Sequence, residues 1–591
     1  MKKWIILLIL VGILGNAFLV KGPFLWDDEF FIVENPNIRQ IHFKDYFLKP
    51  HWLETGFAMG FRGFYRPLVS LSFAVDYQLY KLDSRGYHLT NIFFHILASI
   101  LLFLVLLEIG FTESQSFLAS AIFSSAATLR EAVAWISARG DIFALFFMLL
   151  SFYLIMKRKD LWAILVFPFA LFSKEMSVVF PFFLMVYFYY KREKFNRVLP
   201  FLVLDILFLI LRSQFTSSRI LSTYSIPILI TRTFKALGFY FVQGVFPFTG
   251  RVFLSPMTVY TKWWFYIPAA LFIMLVAAFV FKRTSKVFLL SAMSFILLLP
   301  SLAVVWIEIP HTVAFRFGYI PAAFLVPISV LLLSSREILK KVVLPVFLAG
   351  AIVNSNIVNL YWTSSSLFWE KTHLDAPEDP YFAIRLAGVY IQKGRVKDAE
   401  SLLQGYLDRT NSYTPVILHI LALIEESRGN LRKAEALLTN SIFLSREFEK
   451  WEMKTYGELV YDLSSHYIAL SRILRKQGRI EDAEKLMKSG FSSYGKNPDF
   501  RDEYAIVLGL AGKCENAIKI ASKRRESVLE ICALWKKKDL YSRAKIMLYR
   551  NQFEKAKELC SSIKENIKRE KCLSETEERM KRMGLLRQNT K

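Results

Sequence analysis

The sequence predicts an all-α protein in two parts, a polytopic membrane helix bundle followed by a helical-repeat solenoid. Three observations lead there. Apolar runs near membrane-spanning length recur through residues 1–375. Charge is unevenly divided: of the 591 residues, 1–375 hold 54 charged side chains and 376–591 hold 71. From Pro380 onward, small residues recur at a fixed spacing. The hydrophobic fraction of 54% excludes a disordered chain and exceeds that of an ordinary soluble enzyme. The net charge of +25 divides as +14 and +11 between the two parts. Much of the first share reads as membrane topology, so a nucleic-acid partner is not expected.

The first part, residues 1–375, contains eleven apolar runs. They are Trp4–Val20, Leu89–Leu107, Ser116–Leu129, Ile142–Met156, Leu161–Ser173, Met176–Tyr190, Val198–Leu211, Trp263–Phe281, Val287–Ile307, Phe317–Ser335 and Val342–Leu360. Trp4–Val20 lacks a convincing small-x-small cleavage site and is read as a retained first span. Alternate connections carry Lys2/Lys3, Lys157-Arg158-Lys159, Lys191-Arg192-Glu193-Lys194, Lys282-Arg283-Lys286 and Arg336/Lys340/Lys341. By the positive-inside rule these face the cytoplasm, and so does the N-terminus. An odd span count then puts residues after ~360 outside. The expected setting is a bacterial inner membrane with the second part periplasmic. Residues 21–88 form the first outer loop. Thr233–Phe248 is read as a re-entrant or interfacial helix, because a twelfth span would break the charge alternation.

In the second part, residues 376–591, Gly394/Ala399, Gly429/Ala434, Gly478/Ala483 and Gly512/Ala517 share one spacing, and Asn551/Ala556 follows it more weakly. Glycine ends one helix and the small alanine lets the next pack closely, as in tetratricopeptide (TPR) repeats. An insertion around Phe443–Tyr456 lengthens one step. Such a solenoid offers a concave face to a partner. All four cysteines, Cys514, Cys532, Cys560 and Cys572, lie here. None has C-x-x-C spacing, so zinc is not expected. The plainer reading is four buried helix residues; a periplasmic domain would also allow disulfides in three connectivities.

Ionisable residues within an oily domain are costly and point to function. Here they gather in the outer segments: Trp26-Asp27-Asp28, Arg66, His88, Asn91 and His95, Glu131, Arg139 and Asp141, Lys174-Glu175, His311, and Arg316 with Tyr319. Transfer from a lipid-linked sugar needs a carboxylate to take a proton from an acceptor hydroxyl. It also needs cations to neutralise the phosphate that leaves with the lipid. Asp27 and Asp28 supply the acids, with Glu131 as a further candidate. Arg66, Arg139, Lys174 and Arg316, with Tyr319, are the candidates for phosphate. His88, Asn91, His95, Asp141 and Glu175 are supporting residues. The pair Asp27/Asp28 with Glu131 could also hold a divalent metal. No Gly-rich nucleotide loop or Rossmann fingerprint is present, which fits a lipid-linked donor.

These segments resemble the transmembrane-and-TPR O-mannosyltransferase-like proteins of the GT-C glycosyltransferase superfamily. The likeness lies in Trp-Asp-Asp after the first span, Tyr-Arg-Pro-Leu, His-Leu-x-Asn-x-x-x-His, Glu-Ala-Val-Ala-Trp-Ile-x-x-Arg-x-Asp and Ser-Lys-Glu, in that order. It covers nearly the whole chain. The resemblance implies a polyprenyl-phosphate sugar donor, an extracytoplasmic site and an acidic centre in the first outer loop, carried here by Asp27 with Asp28 beside it. Arg316 and Tyr319 resemble a Glu-Arg-x-x-Tyr-x-Pro segment. Two departures stand out: Ala126-Ala127-Thr128-Leu129-Arg130 replaces a His-Pro before Glu131, and Phe315 replaces the acid before Arg316. The expected function is transfer of a sugar to a hydroxyl of a protein or glycan, which the TPR array presents. The competing expectations are a polysaccharide ligase using a lipid diphosphate donor and a non-catalytic membrane-anchored TPR scaffold.

Overall fold

A computed structural model describes residues 1–48, 64–216, 221–222, 224–307, 311–334, 339–407, 413–456, 463–537 and 539–582. The described residues are all-α; their one β feature is an isolated bridge between Leu221 and Ile307. The molecule divides into two compact units, Met1–Val389 and Tyr390–Lys591. Residues 376–389, grouped by sequence with the repeats, therefore pack with the first unit.

Six helices of the first unit are long and apolar enough to cross a membrane: Ser84–Ile109, Ile136–Met156, Trp263–Phe281, Lys286–Trp306, Phe315–Leu333 and Lys341–Tyr361. Each overlaps one of the expected runs. The other five runs correct the count of eleven. Trp4–Val20 gives only the 13-residue helix Lys2–Leu14, which ends at Gly15 and Asn16. At 1.5 Å per residue it spans about 20 Å, well short of a ~30 Å hydrocarbon core. Asp160–Ser173, Phe180–Lys191 and Leu199–Ser213 have 14, 12 and 15 residues. Ser116–Leu129 breaks into Glu113–Ser124 and Ala127–Ala134, bent by 52°, a pair that would make a seventh span if counted as one. Thr233–Phe248 falls mostly within the 20-residue helix Ile226–Val245, which is not among the six. With the count at six or seven, the side assigned to residues after ~360 no longer follows from a count of eleven.

The second unit is an array of helical hairpins. All five predicted turn positions have positive φ: Gly394 (74°), Gly429 (83°), Gly478 (78°), Gly512 (83°) and Asn551 (58°). This left-handed geometry favours glycine and tolerates asparagine. At each turn the next residue's N–H closes the same bond to the carbonyl five positions back. The bonds are Arg395 to Tyr390 at 2.8 Å, and Asn430 to Glu425, Arg479 to Leu474, Lys513 to Leu508 and Gln552 to Met547, all at 2.9 Å. That is the longer bond of a Schellman helix cap. Ala399, Ala434, Ala483, Ala517 and Ala556 are all fully buried. The insertion appears as the 26-residue helix Leu431–Tyr456. The cysteines differ from the plainer expectation: Cys514 is bonded to Cys532 and Cys560 to Cys572. Each bridge joins consecutive helices, so the helical spacing that buries the thiols also pairs them.

Candidate active site

The candidate site starts at a strained residue. Trp26 has φ = 59°, a conformation that a bulky side chain adopts only when its surroundings impose it. Asp28 supplies that constraint. Its Oδ2 accepts from the Leu25 N–H at 3.0 Å, and its Oδ1 accepts from both the N–H (2.8 Å) and the hydroxyl of Ser137. Asp28 is buried and ties the segment after the first helix to the segment that opens the Ile136–Met156 helix. Asp27 differs: its carboxyl accepts no hydrogen bond among the described residues, and it is partly exposed. The adjacent acids therefore separate into a tether and an available carboxyl.

Burial pushes Asp27 up to about 6, against the opposing fields of Arg316 and Arg385. Burial also raises Asp28, to about 7, despite its hydrogen bonds from Leu25 and Ser137, with the Asp27 charge adding to the rise. Arg316 is held in place by Glu131. One Glu131 oxygen pairs with the guanidinium and the other accepts the Arg316 N–H at 3.2 Å. The guanidinium also lies 5.1 Å from the Trp135 ring. Glu131 thus supplies the negative partner that Phe315 cannot.

Around Trp26 the rings close in. Trp135 stacks on it at 5.1 Å, with Phe253 at 5.6 Å, His311 and Phe382 at 6.1 Å, Trp369 at 6.3 Å and Tyr381 at 6.4 Å. Burial, with Arg316 nearby, pushes His311 down to about 3 and keeps it neutral. Arg385 completes this side. Its Nε donates to the Tyr381 hydroxyl at 3.1 Å, and its guanidinium lies 5.6 Å from Trp369 and 5.4 Å from Tyr381.

The remaining predicted residues form separate pairs. Arg66 binds Glu175 through two bonds of 3.0 and 2.9 Å. Lys174 binds Asp141 at 2.5 Å, and both are nearly inaccessible. Gly140 lets these segments meet, since a Cβ there would lie 2.8 Å from the Ser173 carbonyl oxygen. The Phe317 ring, 5.7 Å from Lys174 Nζ and 4.7 Å from the Arg316 guanidinium, links this group to the Asp27 site.

Two phosphate candidates are committed elsewhere. Arg139, fully buried, pairs with Asp76 at 2.6 Å and donates to Asn91 (2.6 Å), Ser72 (3.0 Å) and the Tyr87 carbonyl (3.0 Å). Its five N–H donors leave little for a ligand. The Tyr319 hydroxyl is 2.7 Å from His95 Nδ1 inside the bundle, and His88 Nε2 is 3.1 Å from the Gly22 carbonyl oxygen. These groups brace the fold around the site. Nor do the three candidate metal acids converge, since Glu131 faces Arg316 and Asp28 faces Ser137. Among the described residues no cluster of three His, Cys, Asp or Glu forms a metal site.

Arg385, Tyr381, Phe382 and Trp369 were not among the residues expected from sequence. The available signal was composition: Phe368-Trp369 and Tyr381-Phe382 are more aromatic than the repeats that follow.

A helical body with several helices able to cross a membrane, carrying a half-buried acid beside two arginines, defines the class as a membrane protein with an enzyme-like polar site. The relatives agree with that class. A protein O-mannosyl-transferase of Caenorhabditis elegans is 26% identical over 166 residues, covering 27% of this chain and 23% of the relative. The human protein O-mannosyl-transferase TMTC3 is 33% identical over 88 residues, 15% of this chain and 10% of the relative. The chain thus matches less than a quarter of the length of these curated relatives. No family model matches the chain.

Proposed function

We propose that the protein is a membrane glycosyltransferase of GT-C type that moves a sugar from a polyprenyl-phosphate donor to a hydroxyl of a protein or glycan outside the cytoplasm. The observation that carries this reading is Asp27: an available, half-buried carboxyl raised toward neutrality and facing two guanidinium groups. A general base works best with a pKa near the working pH. Asp27 takes the acceptor proton, the acceptor oxygen bonds to the sugar's anomeric carbon, and the bond from that carbon to the phosphate oxygen breaks. The products are the glycosylated acceptor and polyprenyl phosphate. Arg316, fixed by Glu131, stabilises the charge growing on the departing phosphate. The partial likeness to proteins named O-mannosyl-transferases supports mannose as the first sugar to try.

The hairpin array, read as TPR-like, would select the acceptor. The two disulfides support an oxidising compartment for it. A bacterial inner membrane with a cytoplasmic N-terminus and a periplasmic array agrees with that and with the basic connections. The test is to incubate purified full-length protein with radiolabelled polyprenyl-phosphate mannose and Ser/Thr-containing peptides. Labelled peptide is expected. No transfer from any polyprenyl-phosphate hexose, together with a stably co-purifying protein, would favour the scaffold reading.

A further inference from the structure

The cations near the candidate site differ in how their charge is used. Arg66 is neutralised by Glu175, Lys174 by Asp141, Arg139 by Asp76 and Arg316 by Glu131. For these four to bind an incoming anion, a partly or fully buried carboxylate must be displaced or must repel it, and separating such pairs is costly. Arg130 lacks an acid but is fully enclosed and donates to the carbonyls of Ala126 and Ser124. Arg385 is different. It makes no carboxylate ion pair among the described residues, it is partly exposed, and one N–H is used on Tyr381. Trp369 and Tyr381 stand beside its guanidinium and also pack around Trp26, the neighbour of Asp27. The same two rings therefore connect the acid and the arginine.

We propose that Arg385, aimed by Tyr381 and Trp369, is the principal residue binding the phosphate of the lipid-linked donor at the Asp27 site. The proposal rests on the glycosyltransferase reading above. Its guanidinium keeps two terminal nitrogens for a planar, two-point contact with phosphate oxygens. It feels the field of Asp27 but forms no ion pair with it among the described residues, so its fork is open to an anion, which would sit next to the base. Arg316 then acts as a second, pre-neutralised contact that orients more than it attracts. Residues 380–389 thereby become part of the active site instead of a lead-in to the repeats.

The probe is a radiolabelled polyprenyl monophosphate, titrated against full-length protein in lipid nanodiscs. Arg385→Gln is expected to weaken binding roughly 10- to 100-fold, the range for a lost charged hydrogen bond. Arg385→Lys is expected to recover only part of it, because a lysine lacks the fork. Asp27→Asn is expected to bind as tightly as wild type or more so. Arg395→Gln, in the second unit, serves as a control without effect. Polyprenol is expected to bind wild type and Arg385→Gln alike. If Arg385→Gln does not fold, Tyr381→Phe is read instead and is expected to weaken binding a few-fold.

Binding by Arg385→Gln within twofold of wild type would overturn this proposal while leaving the glycosyltransferase reading intact. Failure of wild type itself to bind the probe would remove the lipid-phosphate reading and this proposal with it. Equal, Arg385-dependent competition by inorganic phosphate or phosphatidylglycerol would overturn the assignment to the donor, leaving a general anion site.

Discussion

The two units treat charge in opposite ways. In the hairpin array each ion pair among the described residues keeps at least one side chain open to water, and Arg395–Asp398 and Lys523–Asp499, for example, have both side chains about half exposed or more. Such pairs contribute little, since water screens them and two long side chains lose freedom. In the first unit, Arg139–Asp76 and Lys174–Asp141 are almost wholly enclosed. Enclosed pairs do not repay their desolvation cleanly and are poor evidence of stability for its own sake. Their concentration around one loop is better explained by the polar site they frame. The array is held by backbone caps and apolar packing instead.

That contrast can be broken at its strongest point. Glu131→Gln leaves the Arg316 guanidinium without its anion, and is expected to destabilise the first unit by roughly 3 kcal/mol, the range for breaking a buried pair. A fall in the thermal midpoint of the micelle-solubilised protein, with loss of transfer, checks it. An unchanged midpoint would mean that the pair is not structurally coupled.

A smaller effect is expected at the array's turns. Gly429→Ala puts a Cβ at φ = 83° and is expected to cost about 1–2 kcal/mol. Hydrogen exchange should speed up in the hairpin around residues 414–446, with no change in the first unit. Smallest of all, Asp398→Asn removes an exposed pair and is expected to change stability by less than about 0.5 kcal/mol.

How much of this was legible in sequence depended on how local the cause was. The six long spans stood out because each is an uninterrupted apolar run. Of the five other runs, two are shortened at Gly15-Asn16 and Pro181, one is broken at Ser125-Ala126, and Leu161–Ser173 and Val198–Leu211 were themselves too short to span. The repeat turns were legible because left-handed geometry demands glycine, and even the weak Asn551 position kept it. Asp27 and Asp28 were visible as a pair, but which of them the loop uses depends on Ser137, over a hundred residues away. Arg385 was invisible for the same reason: it meets the Trp26-Asp27 segment only through the fold.

The pH dependence follows from the same distinction. Asp27 must be ionised to accept a proton, and burial raises it to about 6. Transfer measured as kcat/KM is therefore expected to hold steady above about pH 7 and to fall tenfold per pH unit well below pH 6. An acid limb near pH 4, where a free carboxylate titrates, would place the base elsewhere.

The most direct measurement compares the two acids. Asp27→Asn is expected to lower transfer from polyprenyl-phosphate mannose by about 100-fold or more with an unchanged thermal midpoint. Asp28→Asn is expected to lower the midpoint and to reduce transfer far less. If Asp27→Asn transfers sugar at the wild-type rate, the division of roles between the two aspartates is wrong.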